Sequence, residues 1–593
     1  GNQVGDVLAS TTTSITGDYS LALPSGVDFS GDLVLRITGN SGTSMSAQVV
    51  EQSVDINPIS QYILDKFIED GTELASLPVN DVVALTGKIE EFDLTAAPGT
   101  DLTAMLDQLE AEVGTFVDNQ ITVINSVPGD GSTVAGNWKL FSFSVGFHDS
   151  EGQGFGTYAI DMDSSSFAVA DSGNGSIELT ESGYEGVWTN AYSGGGLDVE
   201  SEIGSGEDTF PGSVDADGNI VVESPFEEEL QTVDTQVDVD GPDYGWRWPP
   251  STILIDDTGS GNSKFAVFQD AGARYLTTDT NNDGVKDAVD PNAKDGDEVS
   301  LQALFLLKQG TGMGAGSAQG SYGMVNYSVG VGSLQFGEIS SEVGIVTFDG
   351  TNTVDIASNA VEEIRIERSY GQGINLNATT TLDPTSQSLG YSVAANGEFA
   401  VLENQTAVLE GQVSADGSLI VAVAHDETVD NKGDTDPSND EITNSSNDIR
   451  TFVKLGSGLQ SVDLADSTYD LRPLIQNAES SGRQAIFTLS RASTIVFDAD
   501  GGNAVITPSD RGIERDNDGA EIQAIAVETP QAMQLPVQVS GNGHITMEDA
   551  NSGVYIEGYV AEDTSMFIGR VYITDPQSAN TSEDLGLVVG IKQ

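Results

Sequence analysis

The chain has 593 residues, of which 93 are Asp or Glu and only 22 are Lys or Arg, so its formal net charge is −71. A chain of this length suggests about three to five folded units, and such a charge repels nucleic-acid phosphates and anionic lipid surfaces, which excludes both as expected partners. The chain contains no cysteine, which excludes disulfides, thiolate nucleophiles and Cys-type zinc sites.

The first 50 residues predict strands over 7–13, 17–24 and 32–37, where apolar residues alternate between turn residues. The pattern Gly-x-Tyr-x-Leu-x-Leu-Pro at 17–24, followed by Leu-Val-Leu-Arg-Ile-x-Gly at 33–39, resembles the carboxypeptidase regulatory-like, or transthyretin-like, β-sandwich at the front of many bacterial surface lipoproteins. The resemblance implies an N-terminal β-sandwich over 1–55. Such domains usually have one or two strands before the point where this chain begins. We therefore expect either a missing segment or an open sheet edge that another strand fills.

The next stretch changes from strand to helix periodicity. Apolar residues recur at helical spacing over 59–68 and again over 102–113. Asn57 supplies an N-cap and Pro58 occupies the first helical position. The sequence therefore predicts a helical segment of two or three helices over 56–121, packed on the sandwich.

Strand patterns dominate the rest of the chain, and part of the pattern is repeated. Residues 409–421 align without gaps to 556–568, both as strand, turn and strand, and 212–221 carries the same turn. Residues 306–310 resemble 452–456 in the same way. We predict three tandem related β units, over 122–310, 318–456 and 463–593, each a β-barrel or a β-sandwich. The glycine-rich stretch 310–316 is the expected linker.

The strongest ion-binding pattern lies in unit one. Oxygen ligands fall at positions 1, 3, 5, 9 and 12 of a twelve-residue loop, with Gly at position 6 and a backbone carbonyl at position 7. In order, the predicted ligands are Asp279, Asn281, Asp283, Val285, Asp287 and Asp290. The pattern is similar to the calcium loops of EF-hands, dockerins and thrombospondin type 3 repeats. Asp290 replaces the usual bidentate Glu and no amphipathic helices flank the loop, so the resemblance implies a structural calcium site.

A second calcium site can adjoin the first. Asn292, Asp295 and Asp297 follow the loop closely and carry oxygen ligands of the same kind. The alternative for the whole region is a solvated acidic loop without metal. Calcium is the only cofactor that the sequence predicts.

Aromatic residues form one other candidate site. Tyr244, Trp246 and Trp248 alternate along a segment that two prolines follow, and their rings can stack on a glycan. Indole rings fill core and loop-anchor positions as well, so the alternative is a packing role.

Catalytic patterns are sparse. His148, His425 and His544 lie far apart in sequence, and neither His-Glu-x-x-His nor Gly-x-Ser-x-Gly occurs. A pair of carboxylates for glycoside hydrolysis remains open, because sequence spacing does not determine the distance between two carboxyl groups. We therefore expect no enzyme, with a glycoside-active enzyme as the alternative.

Together these patterns predict a mainly β, multidomain protein at the outer cell surface of a bacterium or in its surroundings. The expected function is a non-catalytic scaffold or adhesin that calcium stabilises, and the alternative is a glycan-binding or glycan-cleaving surface protein. The expected partner is another copy or another surface protein at the open sheet edge. No apolar run reaches the roughly 18 residues that a membrane-spanning helix needs, so no membrane span is expected.

Overall fold

The computed structural model describes residues 5–14, 18–27, 29–39, 42–90, 101–150, 157–191, 197–205, 208–224, 227–231, 244–280, 285–332, 336–370, 374–430, 441–479, 484–489, 493–508, 510–515, 522–525, 532–549, 552–574 and 582–593. The chain divides into two compact units. The first comprises Gly1–Val127 with Pro249–Thr252, and the second comprises Pro128–Trp248 with Ile253–Gln593. The predicted mainly β class is confirmed.

In its described residues the first unit has one β-hairpin and three α-helices. They are β1 (Val34–Thr38), β2 (Ser44–Gln48), α1 (Pro58–Glu69), α2 (Val79–Glu90) and α3 (Leu102–Asn125). The core of this unit is formed by apolar faces of the three helices, with Phe67, Ile89 and Val117 completely buried. None of the helices in the described residues is both long and apolar enough to cross a membrane.

The start of α1 follows the predicted capping pattern. The Asn57 side chain accepts a hydrogen bond from the Ser60 backbone N–H at 2.9 Å, and the Ser60 hydroxyl accepts one from the Asn57 N–H at 3.0 Å. Both groups would otherwise lack helical partners. At the other end of the helical segment α3 continues to Asn125, beyond the predicted limit at residue 121, because Ile121 is buried among the helices and Ile124 packs beside it.

The predicted N-terminal β-sandwich is not found in the described part of residues 1–55. Only β1 and β2 form there, paired antiparallel from Val34↔Gln48 to Thr38↔Ser44. The segments at 7–13 and 18–24 have the alternating pattern without strand structure. Val7 and Leu8 are 86% and 51% exposed, and a strand needs a paired neighbour and a buried face to be stable.

The second unit contains three closed barrels, each with eight strands in its ring. The first barrel is built from the first eleven strands of this unit: β3 (Gly136–Ser150), β4 (Thr157–Gly173), β5 (Ser176–Ala191), β6 (Leu197–Gly204), β7 (Thr209–Val214), β8 (Ile220–Ser224), β9 (Glu227–Gln231), β10 (Tyr244–Trp248), β11 (Ser251–Asp257), β12 (Ser263–Thr278) and β13 (Ala288–Lys308). The ring runs β3-β4-β5-β7-β8-β11-β12-β13 and closes where β13 pairs with β3. Strands β6, β9 and β10 pair outside the ring.

The second barrel uses the next nine strands: β14 (Gly320–Gly332), β15 (Phe336–Phe348), β16 (Thr353–Tyr370), β17 (Ile374–Leu382), β18 (Gln387–Val393), β19 (Glu398–Glu403), β20 (Thr406–Val413), β21 (Leu419–Asp430) and β22 (Glu441–Lys454). All except β17 belong to the ring, which closes between β22 and β14. Strand β17 pairs with the long strand β16 and extends the wall of the barrel.

The third barrel uses the last eleven strands: β23 (Thr468–Glu479), β24 (Gln484–Leu489), β25 (Thr494–Phe497), β26 (Asn503–Thr507), β27 (Asp510–Arg515), β28 (Ile522–Ile525), β29 (Met533–Val539), β30 (His544–Asp549), β31 (Val554–Val560), β32 (Met566–Thr574) and β33 (Ser582–Lys592). Its ring closes between β33 and β23, and β24, β27 and β28 lie outside it. Of the two predicted alternatives for the β units, the barrel is confirmed and the sandwich is wrong.

Each barrel has its own apolar interior, and a further core lies between the barrels. Each interior cluster takes side chains from all eight ring strands, around Trp138 in the first barrel, Phe348 in the second and Tyr469 in the third. The core between the barrels is one cluster formed by outward-facing residues of all three. Phe143 and Tyr327 meet edge-on there, with ring centroids 5.5 Å apart. The three β units are therefore parts of one compact body.

The sequence repeats correspond to equivalent closing strands and turns. At each closure an aromatic residue of the first strand lies opposite a lysine of the last, as Trp138↔Lys308, Tyr322↔Lys454 and Tyr469↔Lys592. The aligned segments 409–421 and 556–568 both join the sixth and seventh ring strands. The turn at 212–221 joins the fourth and fifth strands of its barrel, so it has the same form at a different place.

The glycine-rich stretch 310–316 is not the exposed linker that its composition predicts. The Met313 backbone N–H donates to the Ala395 carbonyl at 3.0 Å, and Met313 and Ala315 pack against the interior of the second barrel. The packing is close, because a Cβ on Gly310 would lie 2.2 Å from the Met313 sulfur.

Candidate functional site

The predicted calcium loop is the connection of a β-hairpin. Strands β12 and β13 pair as far as Thr278↔Ala288, and residues 279–287 connect them in sequence. Asp279 and Asp287 stand at its two ends, and Asp290 lies on β13. Two of the predicted ligands, Asn281 and Asp283, lie outside the described residues.

The Asp287 carboxylate already supports the shape of this turn. Its oxygens accept hydrogen bonds from the Thr280 backbone N–H at 2.9 Å and from the Thr280 hydroxyl at 2.8 Å. These bonds lower the pKa of Asp287, so the group is charged at neutral pH. Calcium prefers hard, charged oxygen ligands of this kind. Among the described residues no three His, Asp or Glu side chains converge on one point, so a calcium site here also requires the oxygens of Asn281 and Asp283.

The second predicted metal set has a different environment. The Asp295 carboxylate lies 2.6 Å from Nη2 of Arg274, and both side chains are mostly buried. Asn292 and Asp297 are on the same strand, β13, and their side chains lie outside the described part of the structure. Asp295 therefore neutralises the charge of the buried Arg274 guanidinium group.

The predicted glycan-contact residues are all on β10, between β9 and β12. Tyr244, Trp246 and Trp248 face the same side of the sheet because side chains alternate along a strand. The two indoles stack on each other with centroids 6.1 Å apart, and Trp246 is only 9% exposed. Trp248 packs onto Gly272, where a Cβ would lie 2.5 Å from the indole nitrogen. The Arg274 guanidinium lies 5.1 Å from the centre of the Tyr244 ring.

Two carboxyl groups of the first barrel have strongly raised pKa values. Burial raises the pKa of Asp163, which accepts a hydrogen bond from the Tyr184 hydroxyl at 2.8 Å, to about 6. Burial, together with repulsion from Glu298 and Glu227, raises the pKa of Asp270 to about 6. Asp163 is on β4 and Asp270 is on β12, with β3 and β13 between them in the ring. The two groups have different acidic neighbours, and neither is among the causes of the other's shift.

The second barrel contains a cavity of about 480 Å³ that no sequence pattern indicated. Its apolar lining comes from Met324, Ile356, Val361, Leu382 and Pro384, and its polar lining comes from Glu342, Glu363, Thr381, Asp383, Gln387 and Arg450. The register of the strands explains why apolar and charged residues line different parts of the cavity. Phe452, Met324, Gly344 and Val361 form one row across β22, β14, β15 and β16, and Arg450, Asn326, Glu342 and Glu363 form the row two residues further along.

The row of Arg450, Asn326, Glu342 and Glu363, called the charged row below, has several further carboxylates close to it. Burial raises the pKa of Glu342; Arg450 opposes this, and Asp448 and Glu363 add repulsion. Burial raises the pKa of Glu338 in the same way, against the attraction of Arg365. Arg450 lies 3.0 Å from Asp448 and 4.0 Å from Glu342. Alternation along β15 could have pointed to these carboxylates, because Glu338 and Glu342 share one face of the strand while Ile339 and Val343 lie on the other.

No protein-family model and no curated protein matches the chain. Among solved structures, isotype 1 transferrin binding protein B from serogroup B Neisseria meningitidis is 9% identical over 70% of this chain and 77% of that chain, with a TM-score of 0.16. Transferrin binding protein B from Haemophilus parasuis is 9% identical over 77% and 76%, with a TM-score of 0.18. A DUF3598 family protein from Nostoc punctiforme is 11% identical over 47% and 97%, with a TM-score of 0.16. Scores this low do not identify a common fold.

Proposed function

We propose that this protein is a non-catalytic scaffold or adhesin at the outer surface of a bacterium or in its surroundings. The observation that carries the proposal is the single hydrophobic core shared by three closed barrels. Closed barrels leave few free strand edges, and a shared core holds the barrels as one rigid body that can present binding surfaces at fixed positions.

The net charge of the protein supports an extracellular location. A net charge of −71 keeps a protein soluble and destabilises its compact state by self-repulsion unless ions screen it. Antibody labelling of intact producing cells tests the location. Labelling without lysis, and loss of the label after brief protease treatment of whole cells, is the expected result. Labelling that appears only after lysis would contradict the proposal.

Calcium is the proposed stabilising ion, bound at the loop from Asp279 to Asp290. Binding to the folded state alone stabilises it by about 2.7 kcal/mol when calcium is at a hundredfold excess over its dissociation constant. The test compares Asp283→Ala and Asp290→Ala with Glu178→Gln, an exposed control on β5 of the same barrel. At constant ionic strength, calcium should raise the melting temperature of the wild type and of the control. In both loop variants this increase in melting temperature should be mostly lost. An equal calcium effect in all four proteins would place the ion elsewhere.

The proposed partner is a second copy or another surface protein that adds a strand beside β1. In the described residues β1 pairs with β2 alone, whereas the Ser46 N–H on β2 donates to Gln61 of α1 at 2.7 Å. The N–H groups of odd-numbered residues in β1 face β2, as Val49 N–H to Leu33 O and Gly39 N–H to Thr43 O show, so the N–H of Arg36 lies on the outer edge. Analytical ultracentrifugation of the native material should then detect self-association that replacing Arg36 by Pro removes, because proline cannot donate to a strand partner.

Glycan binding or cleavage is the second candidate function. Its support is the row of Tyr244, Trp246 and Trp248 on one face of β10, beside the charged Arg274. A glycan array with the wild type and Trp248→Ala tests binding, and a reducing-sugar assay tests cleavage. Sugar release that a carboxylate substitution abolishes would overturn the non-catalytic proposal.

A further inference from the structure

The cavity of the second barrel has the features of a ligand site. Its volume of about 480 Å³ lies within the usual range for pockets that hold small organic molecules. One wall is apolar and the next row of side chains is charged, so the cavity suits a ligand with one apolar and one charged end. The side chains of Glu342 and Arg450 are 29% and 31% exposed, and solvent therefore reaches the charged row.

The excess of negative charge around the cavity favours a cationic ligand. Five carboxyl groups, those of Glu338, Glu342, Glu363, Asp383 and Asp448, line or border the cavity, and two guanidinium groups, those of Arg365 and Arg450, accompany them. Arg365 contacts Glu363 at 2.8 Å and Glu338 at 3.4 Å, and Arg450 contacts Asp448 at 3.0 Å and Glu342 at 4.0 Å. Each guanidinium group is thus shared between two carboxylates, the carboxylates are in excess, and an added cation relieves their mutual repulsion.

Asn326 holds one carboxylate of the cavity in place. It lies in the row between Arg450 and Glu342, on the same strand face as Met324 of the apolar wall. The residue is 3% exposed, and its side chain donates a hydrogen bond to the Glu342 carboxylate, which lines the cavity. A carboxylate fixed in this way is ready to receive a cationic group without reorganising.

We propose that the second barrel binds a small organic cation, an ammonium group on an aliphatic body, with the nitrogen beside Glu342 and Glu363 and the carbon chain against Met324, Ile356 and Val361. The contact needs no metal and no covalent step. This site is independent of the proposed scaffold function, since a rigid scaffold does not require a filled cavity.

Isothermal titration with alkylammonium probes tests the proposal on the full chain. Hexylammonium should bind saturably with one site per chain, and at least tenfold more tightly than methylammonium because its chain buries apolar surface in the cavity. Hexanoate, which has the same chain and the opposite charge, should not bind. Hexanoate binding as tight as that of hexylammonium, or equal affinities of hexylammonium and methylammonium, would overturn the proposal.

Two variants locate the site. Glu342→Gln should weaken hexylammonium binding at least tenfold, whereas Glu410→Gln, which removes an exposed charge from β20 of the same barrel, should leave it unchanged. Val361→Phe fills the apolar wall and should abolish hexylammonium binding, with a melting temperature that shows the barrel is intact. Equal effects of Glu342→Gln and Glu410→Gln would mean that the probe senses only the overall charge, and this result would exclude the site.

Discussion

At the scale of single residues, a few buried charges connect the barrels. Arg570 on β32 of the third barrel is completely buried. Its guanidinium contacts the carboxylates of Glu557 on β31 and Glu362 on β16 of the second barrel, and Nη1 donates to the Ser341 carbonyl at 3.3 Å. Arg472 of the third barrel is similarly paired with Asp256 of the first at 3.0 Å. Such pairs specify which strands meet, because a buried charge without its partner is strongly unfavourable.

Replacing Arg570 by Ala should lower the free energy of unfolding by about 3–5 kcal/mol, since the carboxylates of Glu557 and Glu362 lose their buried cation. Arg365→Ala is the control, because Arg365 is paired near the surface and its loss should cost about 1 kcal/mol or less. Chemical unfolding measures both. The triple substitution Arg570→Met, Glu557→Gln and Glu362→Gln should recover most of the loss. Similar losses for the two single variants would show that Arg570 has no special role.

The raised pKa of Asp163 predicts a pH-dependent stability. The pKa is about 6 in the folded protein against an ordinary value of 3.8, so folding favours the protonated form. Below the ordinary value of 3.8 the carboxyl group is protonated in both states, and as the pH rises from about 4 to 6 the free energy of unfolding falls by roughly 3 kcal/mol. Asp163→Asn keeps an acceptor for Tyr184 and removes the charge. It should be more stable than the wild type at pH 7.5 and equally stable near pH 4 in urea unfolding, whereas Glu178→Gln should match the wild type at both.

At the scale of elements, tight turns between ring strands are the repeated feature. The segments 414–418 and 561–565 form the same turn, closed by Gly417 N–H to Ser414 O at 2.8 Å and by Thr564 N–H to Ala561 O at 2.9 Å. Both require a positive φ, 72° at Gly417 and 60° at Thr564. Glycine adopts this conformation without strain, and a β-branched residue does not. The third barrel therefore carries a strained residue where the second has glycine.

Thr564→Gly should stabilise the third barrel by about 1 kcal/mol, because the left-handed conformation costs an L-residue about that much. The gain is reduced by the loss of the 3.1 Å hydrogen bond between Lys592 and the Thr564 hydroxyl. Thermal unfolding measures the change, and Thr564→Ala, which keeps the strain, should gain less. The reverse substitution Gly417→Thr should destabilise the second barrel by more, since its Cβ would lie 2.5 Å from the Ser317 carbonyl oxygen. An equal gain from Ala and Gly would show that backbone strain is not the cause.

At the scale of the whole molecule, burial of the core between the barrels stabilises the fold, and repulsion between the many acidic residues destabilises it. The core between the barrels draws on all three of them, and 93 acidic residues are distributed along the same chain. The net repulsion acts over distances that salt controls, since the screening length falls from about 30 Å at 0.01 M to about 3 Å at 1 M ionic strength.

The melting temperature should therefore rise as sodium chloride is increased from 0.01 to 1 M, because screening weakens repulsion that is strongest in the compact state. Differential scanning calorimetry measures the rise. Potassium chloride should act equally, since screening does not depend on which monovalent cation is present. A melting temperature that is constant or falls with salt would show that self-repulsion does not limit stability.

The class of the protein and its local structure could be predicted from the sequence. Alternation of apolar residues, turn glycines and the Asn57 cap predicted strands, hairpins and the first helix, because these depend on neighbours in the chain. The repeated closing segments identified three related units for the same reason. Features that depend on contacts between distant residues could not be predicted in this way. In the described part of residues 7–24 the alternating pattern forms no strands, and the glycine-rich stretch 310–316 packs against the second barrel. The cavity arises only when register brings Arg450, Asn326, Glu342 and Glu363 into one row, from four strands spread over more than a hundred residues.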